Sequence, residues 1–184
     1  MKRITLALAA AAMFAAAAPS MAQTVRVGGQ AMFPTKTIVS NAVNSADHTT
    51  LVAAVKAAGL VDTLNGAGPF TVFAPVNAAF AALPAGTVDT LLKPENKGQL
   101  TKVLTYHVVA GDYNTTKLRS MILAGNGAAT LKTVEGDTLS FIMNGSSNII
   151  VNDSKGDVAD ITIGDVTQSN GVIHVIDKVL LPAA

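Results

Sequence analysis

Apolar residues recur at two different periods along this chain, and the change from one to the other falls near Gly111. Before it the spacing is helical. Ile38, Val39, Ala42 and Val43 share one face at the i, i+1, i+4, i+5 spacing of an amphipathic helix. Leu51, Val52, Val55 and Ala58 repeat the pattern, with Asp47 upstream as the expected N-cap and Gly59 as the stop. Two short helices are therefore expected before residue 65. Gly66-Ala67-Gly68-Pro69 then frames the dense β-favouring run 70–75, which reads as a buried strand ended by Pro75, a residue that cannot donate to a ladder. Residues 77–82 read as a turn or two of helix capped by Asn77, and 87–92 as another. Pro94 suits the first turn of the next helix, whose apolar face is Leu100, Val103 and Leu104.

After Gly111 the expected elements are strands. Leu139, Phe141 and Met143 alternate with Ser140 and Ile142, Asn144-Gly145 marks a turn, and 148–151 supplies the return strand of a hairpin. Two more strands are expected around 160–163 and 172–176, with 179–181 closing the chain. Helices first and strands second predict an α+β fold, not alternating βαβ units. No internal repeat and no linker divides the sequence, so one domain is expected.

The ends add a destination. Lys2 and Arg3 precede an apolar run, 4–18, broken only by Thr5; Pro19 follows, and Ser20 and Ala22 are small residues at the positions a signal peptidase reads. Residues 1–22 are therefore expected to be a signal peptide cleaved after Ala22, leaving 23–34 as a loose leader and 35–182 as the domain. The run is shorter than the roughly 20 apolar residues of a membrane span. With no second hydrophobic span and no sorting tail, the expected product is secreted or periplasmic and free of an anchor.

Composition narrows the partners. Thirteen Lys and Arg face twelve Asp and Glu, and loss of Lys2 and Arg3 turns the net charge from +1 to −1. Nucleic acid calls for a clustered basic surface, and an anionic membrane for runs of Lys and Arg; neither is present. There is no cysteine, which removes disulfides, thiol chemistry and thiolate metal sites and leaves stability to packing alone.

Candidate chemistry is sparse. His48, His107 and His174 stand at neither HxH nor HExxH spacing, so no metal is expected. His107 extends the row Leu100, Val103, Leu104 by seven and so reads as a hydrogen-bonded core imidazole. His174 lies at an alternate strand position and reads the same way; His48 is expected in an exposed first helical turn. Asn152, Asp153, Asp157 and Asp160 surround Gly156 without the ligand register of a calcium loop, and read as a solvated turn. No GxSxG, GxxxxGK[ST] or GxGxxG occurs. Three Asn-x-Ser/Thr triplets, beginning at Asn114, Asn144 and Asn152, read as ordinary turns. No cofactor and no enzyme activity are expected.

Three stretches carry a resemblance. Gly68-Pro69-Phe70-Thr71-Val72-Phe73-Ala74-Pro75-Val76-Asn77-Ala78-Ala79-Phe80, then Leu104-Thr105-Tyr106-His107-Val108-Val109, then Asn170-Gly171-Val172-Ile173-His174-Val175-Ile176-Asp177-Lys178-Val179-Leu180-Leu181-Pro182 together resemble the fasciclin-type domain, in order and over about residues 35–182. The resemblance implies a wedge-shaped β-sandwich with a layer of short helices, and a non-catalytic adhesion module, commonly single and secreted in bacteria. It also implies binding around the Tyr106-His107 pair and at an Asp-Ile pair that corresponds here to Asp165-Val166. Val in place of Ile weighs against animal integrin-type receptors. Asp165 and Val166 are expected near a turn, with their side chains in solvent. A further departure is Val76, where the family often has a capping Thr. The partner implied is a cell-surface or matrix protein or a polysaccharide, engaged by a monomer; the alternative is a periplasmic small-molecule or glycan binder, against which the 4% aromatic content and the lack of Trp count for sugars.

Overall fold

The computed structural model describes residues 24–183; the expected signal peptide lies outside them. The elements run β1 (Arg26–Val27), β2 (Gln30–Ala31), α1 (Ile38–Ala42), a 3-10 turn (Ala46–His48), α2 (Thr49–Ala58), α3 (Val61–Asn65) and β3 (Phe70–Pro75). Next come α4 (Asn77–Ala81), α5 (Thr87–Leu91), a second 3-10 turn (Pro94–Asn96), α6 (Lys97–Tyr106), β4 (Val108–Ala110) and α7 (Thr115–Ala124). The chain ends on β5 (Ala128–Lys132), β6 (Thr138–Asn144), β7 (Asn148–Asn152), β8 (Val158–Gln168) and β9 (Gly171–Ile176).

Seven strands form one sheet in the order β4-β3-β9-β8-β7-β6-β5. Only β3 and β9 run parallel, with Phe73 opposite His174; the other pairs are antiparallel. The sheet curls nearly into a barrel, because Val109 bridges Thr133 and Val134 N–H donates to Val108 C=O at 2.8 Å. The expected sandwich is thus one continuous sheet that meets itself. β3 is buried on both faces, as its unbroken apolar run implies: Val72 and Ala74 pack with the helices, while Phe73 packs inside the curl with Tyr106, Phe141 and Leu180. Leu118 and Ile122 of α7 plug the same interior. Among the described residues no helix is long and apolar enough to cross a membrane.

Several expectations are corrected. The stretch after Gly111 is not purely β: α7 forms there because Asn114 accepts from Lys117 N–H at 2.8 Å and Leu118, Met121 and Ile122 fall at helical spacing. The strands β4 and β5 and the short α3 go beyond what periodicity indicated. Residues 24–34 are more than a loose leader, since Val27 and Met32 are each 4% exposed within the helix-side core. Asp47 caps nothing. Asn77 does the capping, but on another helix: its Oδ1 accepts from Thr50 N–H at 3.0 Å at the start of α2, and its Nδ2 donates to Ala46 C=O at 2.9 Å. Its own helix α4 starts at Val76 with no side-chain cap, because Val has no acceptor to offer. Gly59 ends α2 as expected, at φ 73°, a left-handed conformation that glycine adopts without penalty.

Candidate functional site

The resemblance pointed to Tyr106-His107 and Asp165-Val166, and the structure keeps them apart, with Tyr106 in the core inside the curl and Val166 in the helix-side core. Tyr106 ends α6 fully buried; its hydroxyl donates to Thr138 C=O at 3.0 Å and accepts from Ser154 N–H at 2.9 Å. Burial, the largest influence, raises its pKa, offset in part by the bonds to Ser154. His107 follows as the C-cap of α6. Its Nδ1 lies 2.8 Å from Val103 C=O, which can only accept, so Nδ1 carries the proton. Its Nε2 accepts from Leu180 N–H at 3.0 Å. Both ring nitrogens are spent within the fold, and burial holds the pKa down at about 4, so the imidazole is neutral at pH 7.

The segment carrying Asp165 is not a turn. It lies within β8, at two register shifts between Ile161 and Val166, and Asp165 itself has φ 57°. Such bulges re-aim side chains. Val166 stays in the core at 1% exposure, and Asp165 swings to the N-terminus of α7, where Oδ1 accepts from Thr115 N–H at 2.7 Å and Oδ2 from the Thr115 hydroxyl. The expected solvent-facing pair is therefore one buried apolar residue and one half-buried carboxylate complementing a helix dipole. Gly164 makes the approach possible, since a Cβ there would stand 2.7 Å from Thr115 Cγ2. His174 backs the bulge: its Nδ1 accepts from Asp165 N–H at 3.3 Å, its Nε2–H donates to Tyr113 C=O at 2.7 Å, and its ring stacks on Phe73 with centroids 5.5 Å apart. Burial, more than any other influence, lowers its pKa.

His48 overturns an expectation. It is 3% exposed; Nδ1 meets the Ser45 hydroxyl at 2.8 Å, Nε2 faces Ala74 C=O at 3.4 Å, and burial lowers its pKa. The 3-10 turn before α2 rolls it inward against β3. Asp153 also departs from the solvated-turn reading: at 8% exposure, its carboxylate accepts from Lys155, Asp157 and Leu181 N–H at 2.9 Å each and ties the C-terminal tail to the β7–β8 turn. Asn170 of the closing motif fixes the helix layer, accepting from Ile38 N–H at 3.0 Å and donating to Leu64 C=O at 2.8 Å and Gly66 C=O at 3.1 Å.

Two surface features frame these residues. A hollow of about 240 Å³ beside Asp165 is lined by Thr115, Arg119, Ser147 and Asn148. Arg119 reaches across it to Ser147 C=O and keeps Nε buried without a partner. Sequence reading missed Arg119 and Asn148, because only the pairing of β6 and β7 brings their hairpin turn beside α7. The second feature is an apolar cleft between α1, α2 and β3. Among the described residues no group of three His, Cys, Asp or Glu side chains is placed to hold a metal.

The comparisons agree with this geometry. The sequence profile of the Fasciclin domain matches residues 46–182. Protein sll1483 of Synechocystis is 50% identical over 148 residues, covering 79% of this chain and 73% of that protein. The cell surface glycolipoprotein MPB83 of Mycobacterium bovis is 36% identical over 163 residues, covering 86% of this chain and 64% of that protein. The solved FAS1 domain pair of the insect cell adhesion molecule fasciclin I superposes with a TM-score of 0.57 at 24% identity, over 71% of this chain and 43% of that one. The chain belongs to the fasciclin-domain family.

Proposed function

We propose that this protein is an extracytoplasmic, non-catalytic module that attaches to a protein or polysaccharide at a cell surface or in a matrix, and that the ledge around Asp165 is where it does so. The observation that carries this reading is the division of labour at the two family positions. Tyr106, His107 and Val166 are buried and hydrogen-bonded or packed within the fold, whereas the hollow beside Asp165 offers Arg119, Ser147 and Asn148 at the surface. Tyr106 and His107 serve the core elsewhere, Asp165 and His174 hold the bulge and the start of α7 that shape the ledge, and Arg119, Ser147 and Asn148 make the contact. The half-buried Arg119 guanidinium at the edge of the hollow suits carboxylates and carbonyls of a protein or an acidic polysaccharide. A family relative at the cell surface supports the setting, and the lone balance of charges near zero disfavours nucleic acid.

The test is binding of labelled protein to intact cells and to purified surface polymers, with Arg119→Ala and Asn148→Ala beside the parent. A central contact costs upward of about 2 kcal/mol on truncation, so Arg119→Ala should weaken binding by about thirtyfold or more while the melting temperature holds. Parental binding by both variants would remove the ledge from the interface.

A further inference from the structure

The cleft over β3 is unlike the rest of the helix layer. α1 and α2 stand apart above the sheet, with Ile38 and Val39 on one wall, Leu51, Val52 and Val55 on the other, and Val72 on the floor. The enclosed part is about 40 Å³, large enough for water by volume, since a single water needs roughly 10–15 Å³ by the same measure. Water nevertheless has no partners there. The polar side chain at the inner end, His107, has both nitrogens engaged, by Val103 C=O and Leu180 N–H. A water needs two to four polar partners to be held, so this space is dry. Whatever enters must bury hydrocarbon, and the narrow enclosed volume suits the end of a chain better than fused rings.

The mouth has the opposite character. Val39, Val52 and Val61 are only half buried there, and the one charged side chain on the lining is Lys56, exposed at the rim. Among the described residues Lys56 has no salt-bridge partner. A second cation stands nearby: Lys97 Nζ would lie 3.3 Å from a Cβ placed on Gly59, at the C-terminal end of the same helix α2. Lysine stems commonly lie along apolar surface with the ammonium in water, which is the posture a rim residue needs to meet a polar head. A dry, narrow, apolar interior beneath a cationic rim complements one ligand class.

We infer that the cleft between α1, α2 and β3 binds a single-chain anionic amphiphile such as a fatty acid, its hydrocarbon end among Ile38, Val55 and Val72 and its carboxylate at Lys56. The occupancy is independent of the adhesive ledge, with which the cleft shares no lining residue. α1 is pinned to the sheet side through Asn170, so the cleft keeps its shape and the end of the chain enters by the mouth between Val39, Val52 and Val61. Burial of hydrocarbon is the larger favourable contribution and an exposed ion pair a small one, so the alkyl chain supplies most of the affinity and the ion pair selects the head.

The test uses the intact chain and sodium laurate below its micelle concentration, followed by titration calorimetry, with acetate and dodecyltrimethylammonium as head-only and opposite-charge arms. Laurate should saturate at one site, acetate should give no heat, and the cation should bind more weakly than laurate. Val52→Trp fills the mouth and should abolish laurate binding. Lys56→Glu should weaken laurate by about fivefold and favour the cation instead, as expected for a partly exposed charge contact. Both positions are solvent-accessible, and circular dichroism melts confirm that the variants fold. Absence of saturable laurate binding would overturn the proposal, as would laurate binding left unchanged by both substitutions. Equal affinity for laurate and the cation would refute the carboxylate's place at Lys56.

Discussion

Each of the three histidines ties two segments together as a neutral ring, His48 joining the 3-10 turn to β3, His174 joining β9 to Tyr113, and His107 joining α6 to the C-terminal tail. For His107 this was legible in the sequence, because it continues an apolar helical row and therefore points inward. His48 was not legible: its burial depends on a 3-10 turn and on Ala74, 26 residues away, and neither leaves a local periodic mark. Val166 was misplaced for a related reason. Its alternation with neighbours is broken by two register shifts, so position counting along β8 loses the face. The sharpest residue-level expectation concerns His107→Ala. The substitution strands the buried Leu180 N–H and Val103 C=O and leaves a void, so stability should fall by about 1–3 kcal/mol, with any loss of binding tracking unfolding. Chemical denaturation with a binding assay below the transition checks it. A variant of parental stability that no longer binds would make His107 a contact residue.

Elements whose partners lie next to them in the chain were readable, and those fixed from afar were not. The β6–β7 hairpin follows from alternation plus Asn144-Gly145, and β3 from its unbroken apolar run. Helix α7 escaped because its two turns of apolar spacing sit in a region dominated by strand-like residues, and its N-terminus is completed by Asp165, 50 residues downstream. Capping tells the same story, since Asn77 serves α2 instead of its own helix. Asn77→Ala should therefore cost about 1 kcal/mol and speed amide exchange in the first turn of α2, leaving α4 unaffected. Faster exchange confined to α4 would refute the assignment. The C-terminal tail is a second distant tie. Leu180, Leu181 and Ala183 N–H groups are accepted by His107, Asp153 and Asp137 in turn, and the Leu180 side chain is fully buried. Removing residues 180–184 empties that site and orphans buried acceptors, so the loss should be at least the 2–5 kcal/mol of a Leu→Ala core change. A truncated chain that melts with the parent would show the tail to be dispensable.

At the scale of the whole molecule the buried histidines act together through protons. Burial lowers the pKa of His48, His107 and His174, and for His107 the folded value is about 4 against an unfolded value of 6.5. The folded state therefore binds fewer protons than the unfolded chain once pH drops below 6.5, and stability falls with pH in that range. For His107 alone the loss accumulates down to about pH 4, at roughly 1.4 kcal/mol per unit, or about 3 kcal/mol in all, and then levels off. His48 and His174 add losses of the same sign. Asp153 and Asp165 carry negative charge toward His107 and His174 and soften the effect without reversing it. Asp137, whose pKa is lowered first by its bond from Ser154, contributes stability above the ordinary carboxylate value that disappears as pH falls through its lower folded one, so it extends the decline to more acid conditions. The expectation is a stability plateau above pH 7 and a steepening loss below 6, measured as urea midpoints at pH 7.5, 6.0 and 4.5. In His107→Ala the starting stability is lower but the slope below pH 6 should be shallower, because one of the proton-linked groups is gone. Midpoints that stay level or rise between pH 7.5 and 4.5 would contradict neutral buried histidines as the common support of this fold, and an unchanged slope in His107→Ala would remove that ring from the linkage.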